Sequence, residues 1–208
     1  MRGSNNVPVR HASVPTSFAF LFVCTGNICR SPFAELLTAH LLSGRLGSEV
    51  RGFHFASAGV GAVVGSPMHP DTRNELAAWG LADTYAGGFL ARQLEAPMVD
   101  EADVVLTATV EHRTAVLGLC PPALPRTFTL LEFARLITDL DPGPLPLDPI
   151  QRAHALVRHA PTQRGTTRSA KPADDSISDP MGRRRKAHHT AAQQVTQAVT
   201  AIAEAIAP

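Results

Sequence analysis

The sequence predicts an α/β fold with an open, mostly parallel four-stranded sheet flanked by helices on both faces. Two observations lead to this prediction. Short apolar runs alternate along the chain with segments of helical spacing, as in parallel sheets covered on both faces. The first run ends in a loop of the size that holds a phosphate. This places the loop at the carboxyl end of a strand, where ligands bind in open sheets.

The predicted strands are rich in Phe, Val, Thr and Ala. They cover residues 18–23, 53–58, 104–107 and 126–129.

Helical spacing follows each strand and recurs at the end of the chain. Pro32 suits the first position of a helix, where its missing N–H costs nothing, and Gly80 suits a helix end. The last helix carries one apolar stripe at spacings of three and four residues, so we expect it to pack against the sheet. The predicted helices are 32–45, 71–79, 111–119, 130–138 and 190–207.

The chain of 208 residues is interpreted as one domain with appendages. Residues 1–16 are expected to be a flexible leader, and residues 17–208 the domain. Within it, residues 139–178 are proline-rich and then polar, with one short helix at 151–159. We expect a mobile surface insertion there, and the alternative is a lid or docking loop beside the active site.

Composition excludes several classes of function. A net charge of +1 gives no overall attraction to nucleic acid, and 44% hydrophobic residues suffice for a core. The run 18–23 is too short to span a membrane, and Val23 is the wrong residue for lipoprotein cleavage before Cys24. Three cysteines make no secreted disulfide framework, so we expect a reducing compartment, the cytoplasm.

The segment VCTGNICRSP, residues 23–32, holds the main functional signal. Cys24 lies just before a predicted helix start, where free N–H groups and the helix dipole favour both a thiolate and a bound phosphate. Arg30 adds a planar, permanently charged fork that fits two phosphate oxygens. The pattern is typical of a thiolate that attacks a bound phosphate.

The remaining loop positions each have a separate task. Gly26 and Asn27 tolerate positive φ, which lets the loop turn its amides inward. Ser31 can donate a hydrogen bond to the thiolate. Each residue alone has an ordinary structural interpretation, such as a core cysteine or a solvated arginine, but their combination favours catalysis.

The segment FLFVCTGNICRSPFAELL resembles the opening of the low-molecular-weight protein tyrosine phosphatases, in particular a bacterial, actinobacterial branch. The resemblance covers most of residues 18–207 in order, apart from one intervening segment. It continues through SAGVGAVVGSPMHPDTR (57–73), ADVVLTATVEHR (102–113), RTFTLLEFARL (126–136) and SDPMG (178–182).

This resemblance implies hydrolysis of phosphotyrosine in proteins. Cys24 would form a cysteinyl-phosphate, Arg30 would hold the phosphate oxygens, and Asp179 would act as general acid and then base. Neither a cofactor nor a metal is implied, since Arg30 and the loop amides supply the positive field. Implied substrate-binding residues are Thr25, Gly26, Asn27, Ile28, Cys29, Ser31 and Met181.

Asp174 and Asp175 compete with Asp179 for the role of general acid, but only Asp179 precedes a proline in the family context. Met181 stands where the family often has an aromatic residue, which leaves recognition of the substrate ring open. The basic run 183–186 is either a solvated face or a surface that attracts acidic phosphopeptides.

By resemblance, Cys29 would form a reversible disulfide with Cys24, and otherwise it packs under the loop. Cys120 is interpreted as structural. Asp71 and Arg73 match a family pair expected to brace the loop. No histidine pair has a spacing typical of metal ligands, and the pair 188–189 is interpreted as a polar helix start.

Three rival functions stay open. Arginine phosphatases of this family have threonine in place of Ile28, whose apolar side chain suits an aromatic ring better. Arsenate reductases would need two further cysteines, and only Cys120 is present. A phosphopeptide-binding module would have lost Cys24 or Asp179. The expected partner is a phosphotyrosine protein, such as the substrate of a cognate tyrosine kinase, with no nucleic acid and no membrane.

Overall fold

The computed structural model describes residues 15–83, 86–165 and 175–208. Most of the expected leader, residues 1–14, lies outside these ranges. The strands are β1 (Phe18–Cys24), β2 (Phe53–Gly59), β3 (Val104–Thr107) and β4 (Thr127–Thr129). The helices are α1 (Arg30–Leu46), α2 (Pro70–Glu75), α3 (Ala96–Glu101), α4 (Val110–Leu119), α5 (Leu130–Thr138), α6 (Pro149–His159) and α7 (Arg185–Ile206).

The four strands form one parallel sheet in the order β2-β1-β3-β4. In the register, Cys24 at the end of β1 lies opposite Gly59 at the end of β2. This arrangement confirms the predicted fold class. All four strands point the same way, so the loops that follow them meet at one edge of the sheet.

β1 shows how the sequence divides between the two faces of the sheet. Successive side chains of a strand point to opposite faces. Phe20, Phe22 and Cys24 belong to the core that contains α1, α5 and α7. Leu21 and Val23 belong to a second core, on the side of α3 and α4. A strand buried on both faces explains why its sequence is continuously apolar.

The helix bounds differ from the sequence prediction at several ends. α1 begins at residue 30 rather than 32, and α7 at residue 185 rather than 190. The segment 71–79 is a short α-helix followed by a 3₁₀ turn, and the six residues of α3 were not predicted. α5 matches the prediction at both ends, because Thr129 and Glu132 form a capping box.

We expected residues 139–178 to form a surface insertion, but α6, which lies within them, is packed into the core. Ala153 and Leu156 are buried in the larger core, and the ring of His154 lies 4.9 Å from that of Phe18. Phe18 begins β1, so α6 packs at the amino end of the sheet and is not a lid over the carboxyl end. Within the described ranges, no helix combines the length and the apolar character needed to cross a bilayer.

Candidate phosphate-binding site

The loop that joins β1 to α1 is the centre of the site. Asn27 has φ 52°, the left-handed conformation expected from the sequence, whereas Gly26 has no positive φ. A glycine that the sequence analysis did not single out supports the loop from β2. A Cβ at Gly59 would lie 2.3 Å from the carbonyl oxygen of Thr25 and 3.0 Å from the nitrogen of Asn27. The loop therefore rests on β2 so closely that only glycine fits there.

A directed hydrogen-bond network ends at the sulfur of Cys24. The Nδ2 group of Asn27 donates to Ser31 Oγ at 2.9 Å and to Ser57 Oγ at 2.8 Å. Ser31 Oγ therefore accepts from Asn27, and its own proton has two acceptors in reach, Cys24 Sγ at 3.0 Å and the carbonyl oxygen of Ala58 at 3.5 Å. A hydroxyl that donates to a thiolate stabilises it, and this task of Ser31 stays a prediction.

Ser57, Glu35 and Arg92 hold that network in place and were not recognised from the sequence. Ser57 Oγ donates to Glu35 Oε2 at 2.5 Å, and the backbone N–H of Arg92 donates to Asn27 Oδ1 at 2.9 Å. The second bond fixes which end of the Asn27 amide donates. Burial raises the pKa of Glu35, while the Ser57 hydroxyl and the Arg92 charge oppose that rise.

Arg30 is 5% exposed and lies at the start of α1. Its Nη1 donates to the carbonyl oxygen of Ile177 at 3.3 Å, and its Nη2 lies 3.1 Å from Asp179 Oδ1. Its buried Nε has no hydrogen-bond partner. A buried donor without an acceptor is unfavourable, and an anion in the loop is the kind of ligand that would satisfy it.

The segment after residue 174 brings Asp179 to the loop. The N–H of Ile177 donates to the carbonyl oxygen of Ala108 at 2.8 Å, just beyond β3. The carboxylate of Asp179 also accepts from the N–H of Met181 at 3.2 Å. Asp175 instead pairs with Arg135 through both carboxylate oxygens, which removes it from the site. Asp174 lies outside the described residues.

His112 is a site residue that the sequence analysis missed. Its Nε2 lies 2.8 Å from Thr25 Oγ1 in the loop, and its Nδ1 lies 3.0 Å from Thr109 Oγ1. Burial, followed by the positive charge of Arg30, lowers its pKa to about 4. A neutral imidazole therefore holds Thr25. Its position in the segment 102–113, which resembles the family, was the available signal.

Cys29 differs from Cys24 in its surroundings. Its thiol lies 3.6 Å from Met181 Sδ, and burial raises its pKa to about 11. Both sulfurs are free thiols, and the reversible disulfide between them stays a prediction. Cys120 donates to Asp100 on the side of α3 and α4, away from the loop, consistent with a structural role.

Apolar and basic side chains surround the mouth of the loop. Ile28 is 8% exposed and packs with Ala91. Val63, whose N–H donates to the carbonyl oxygen of Gly26, is 47% exposed, and Met181 is 44% exposed. The basic run 183–186 is exposed and enters the first turn of α7, where positive charge opposes the helix dipole.

The expected bracing pair behaves differently from the prediction. Arg73 donates to Asp83 and to the carbonyl oxygen of Ala82, so it ties down that turn rather than the phosphate loop. Asp71 lies close to His69 and His188, and His188 is buried rather than part of an exposed helix start. The chain thus brings together two histidines that are far apart in sequence.

Fold and site together define an α/β protein with a cysteine and an arginine in one loop at the carboxyl end of the first strand. Residues 19–143 match the family described as low molecular weight phosphotyrosine protein phosphatase, and the chain belongs to this family. The resemblance and the expectation of a phosphatase enzyme are thereby confirmed for the family. The actinobacterial branch stays a prediction.

Curated relatives include phosphatases with two specificities. The protein-arginine-phosphatase of Geobacillus stearothermophilus is 34% identical over 116 residues, which is 56% of this chain and 71% of the relative. The low molecular weight protein-tyrosine-phosphatase Wzb of Salmonella typhi is 34% identical over 49% of this chain, which spans 60% of Wzb. Etp of Escherichia coli is 28% identical over 68% of this chain and 88% of its own length.

Solved structures agree on the fold. The tyrosine phosphatase Wzb of Escherichia coli K30, in complex with phosphate, superposes with a TM-score of 0.58 at 20% identity, covering 89% of this chain and 96% of that one. The arginine phosphatase YwlE of Geobacillus stearothermophilus has a TM-score of 0.59 at 25% identity, covering 90% and 91%. The fold is therefore shared by tyrosine and arginine phosphatases and does not distinguish them.

Proposed function

We propose that this chain hydrolyses phosphotyrosine in proteins, with Cys24 as nucleophile, Arg30 as phosphate-binding residue and Asp179 as general acid. The observation that carries the proposal is the 3.1 Å contact between Asp179 Oδ1 and Arg30 Nη2. It brings a carboxylate from a distant segment to the loop in which Ser31 Oγ lies 3.0 Å from Cys24 Sγ. Nucleophile, anion-binding group and acid then occupy one site.

The chemistry proceeds in two displacements. The thiolate of Cys24 attacks phosphorus, the bond from phosphorus to the phenolic oxygen breaks, and Asp179 gives its proton to the leaving oxygen. Asp179, now ionised, then takes a proton from water as that water attacks phosphorus. The sulfur–phosphorus bond breaks and inorganic phosphate leaves.

Arg30 and the loop supply the binding energy for the phosphate. The unpaired Nε of Arg30 and the N–H groups at the start of α1 are donors suited to phosphate oxygens. A phosphate that takes Nη2 of Arg30 releases Asp179 from its ion pair, so the carboxyl group can turn to the leaving oxygen. His112 keeps Thr25 beside Arg30, and we assign it a positioning role.

Substrate preference follows from the mouth of the site. Val63 and Met181 are exposed apolar side chains on which a phenyl ring can rest, and thioethers pack well against aromatic rings. Ile28 is 8% exposed and adds only a small apolar surface. The exposed basic run 183–186 favours acidic phosphoproteins, and its position against the dipole of α7 supports a role beyond stability. The partner is then a phosphotyrosine protein, such as the substrate of a cognate tyrosine kinase.

Dephosphorylation of protein arginine is the second candidate, favoured by the likeness to the arginine phosphatase of Geobacillus stearothermophilus. Ile28 argues against it. Its side chain packs against Ala91 and has no polar atom for a guanidinium group. Exchange of Ile28 can therefore distinguish the two candidate functions.

A side-by-side assay of phosphotyrosine, phosphoserine and phosphoarginine peptides, with reductant and chelator, tests the proposal. We expect turnover of phosphotyrosine above the other two. In Cys24→Ser, turnover should fall on the order of 10⁴-fold or more, while phosphate still protects the variant against thermal unfolding.

The variant Ile28→Thr serves as the specificity control. It should gain activity on phosphoarginine relative to phosphotyrosine, since the threonine hydroxyl can meet a guanidinium group. Faster turnover of phosphoarginine by the wild-type chain would replace the first candidate with the second. Full activity in Cys24→Ser would overturn the covalent mechanism altogether.

We also propose the cytoplasm as the place where this enzyme works. Cys24, Cys29 and Cys120 are all the cysteines of the chain, and all three are free. A nucleophilic thiolate persists in a reducing compartment. Fractionation of cells that express the tagged chain, with a periplasmic marker as reference, tests this placement.

A further inference from the structure

His69, Asp71 and His188 form a cluster outside the proposed catalytic machinery. One ligand atom from each, an imidazole nitrogen or a carboxylate oxygen, lies within 4.8 Å of the other two. The rings of His69 and His188 stack with their centroids 4.3 Å apart. His69 and Asp71 flank the start of α2, whereas His188 comes from the first turns of α7.

His188 supplies a second, independent observation. It is 1% exposed, and its Nε2 has no hydrogen-bond partner. Its Nδ1 lies 2.8 Å from Thr72 Oγ1. A buried ring nitrogen without a partner is unfavourable unless a ligand occupies it.

We propose that His69, Asp71 and His188 bind a divalent transition-metal ion, with Zn²⁺ the best match. Two imidazoles and one carboxylate are a donor set that Zn²⁺ accepts, with a fourth position left for water. When Nδ1–H of His188 donates to Thr72, Nε2 is left as the deprotonated nitrogen that a metal requires. A histidine ligand held through its other nitrogen is typical of zinc sites.

Small movements complete the site. Ligand atoms of a tetrahedral Zn²⁺ lie about 3.3 Å apart for bonds of about 2.05 Å, so the cluster has to contract. His69 and Asp71 are only partly buried and can move, whereas Thr72 fixes His188. The ring of His69 must also turn out of the stack and give up its 3.3 Å contact with the N–H of Asp71.

The cluster is connected to the phosphate loop by a backbone hydrogen bond. The N–H of His69 donates to the carbonyl oxygen of Ile28 at 2.8 Å. The hydroxyl of Thr72, the partner of His188, also acts to lower the pKa of Cys29 against the effect of burial. A bound ion would therefore hold α2, α7 and the loop together without occupying the place of the phosphate.

Titration of the full chain with Zn²⁺, followed by calorimetry and by metal analysis after dialysis, tests the proposal. We expect one Zn²⁺ per chain, with affinity reduced at least about tenfold in each of His69→Ala, Asp71→Asn and His188→Gln. His189→Gln is the matched control, because His189 is exposed and contacts Glu75 instead, and it should bind as the wild type does.

Two measurements distinguish Zn²⁺ binding at the proposed site from Zn²⁺ binding to the thiols of Cys24 and Cys29. In the variant Cys24→Ser/Cys29→Ser the site should bind Zn²⁺ unchanged, and Co²⁺ bound there should lack the absorption band of cobalt–thiolate ligation. Loss of binding in that variant, or a wild-type chain that binds no Zn²⁺, would overturn the proposal. If His188→Gln fails to fold, the partly exposed His69 and Asp71 variants decide the outcome. None of these readouts depends on phosphatase activity.

Discussion

The two ends of the sheet are built from different interactions. At the carboxyl end, Cys24, Arg30 and His112 lie in a network of polar side chains whose members hold one another. At the amino end, Phe18 packs against α6, and buried Leu156 joins the same apolar core. Polar contacts depend on distance and angle, whereas apolar packing depends mainly on buried area. Changes at the first end should alter catalysis, and changes at the second end should alter stability.

After Cys24→Ser, the largest expected effect is at the carboxyl end, in Asp179→Asn. The variant lacks the proton for the leaving group, so kcat should fall by about 10²–10⁴-fold and most for phenols of high pKa. Steady-state rates on a series of aryl phosphates measure this dependence. Asp175→Asn is the matched control, because Asp175 pairs with Arg135 instead. Leaving-group sensitivity that appears in Asp175→Asn and not in Asp179→Asn would reassign the acid.

At the amino end, Leu156→Ala should lower the free energy of unfolding by about 2–5 kcal/mol, because it leaves a cavity in the core beside β1. Denaturant unfolding measures this change. Below the unfolding transition, kcat should equal that of the wild type. Leu147→Ala, at a side chain that is 96% exposed, is the control and should change neither quantity. A large kinetic change in Leu156→Ala would contradict the separation of the two ends.

Gly59→Ala tests how closely the loop rests on the sheet. Its Cβ would meet the carbonyl oxygen of Thr25 at 2.3 Å, so the loop has to shift. Displacing a site by about 1 Å costs about 10²-fold, and we expect a loss of 10- to 100-fold in kcat/KM with weaker phosphate binding. Gly61→Ala meets nothing within 4 Å and serves as the control. Equal kinetics in the two variants would mean that the loop adapts.

The smallest kinetic effect is expected for His112→Gln. Loss of the contact with Thr25 should lower kcat/KM about 5- to 10-fold, in line with one hydrogen bond of 1–1.5 kcal/mol. His40→Gln, at an exposed histidine of α1, should leave kcat/KM unchanged.

His112→Gln should also change how the free energy of unfolding depends on pH. The folded-state pKa of His112 is about 4 against an ordinary 6.5, so between these values the unfolded chain binds the extra proton. The free energy of unfolding therefore falls as pH drops from 6.5 towards 4, by up to about 1.4 kcal/mol per pH unit from this residue. His112→Gln should remove that part of the slope in acid titrations of stability. An unchanged slope would mean that His112 is not buried as a neutral ring.

The sequence could predict whatever depends on neighbours in the chain. The apolar run of β1, the capping box of α5 and the offsets of Cys24, Arg30 and Ser31 are local features, and local geometry follows from them. Asp179 was predicted from its proline and its resemblance to the family rather than from any contact. The structure supplied the contact, with Arg30.

Other features depended on which parts of the chain meet. No spacing rule relates His69 to His188, or Asn27 to Ser57 and Gly59, because these residues lie on different elements that the sheet and α7 bring together. The segment with α6 has the composition of a surface loop. Leu156 is nevertheless buried, because α6 packs against Phe18 at the start of β1.

By itself, then, the sequence determined the strands, most of the helices and the phosphate loop, since backbone propensities and side-chain periodicity act over a few residues. Only the tertiary structure decided the hydrogen bond from Asn27 to Ser31, the neutral state of His112 and the meeting of two distant histidines. The physical reason is that burial and hydrogen-bond geometry are properties of packed neighbours, whichever part of the chain supplies them.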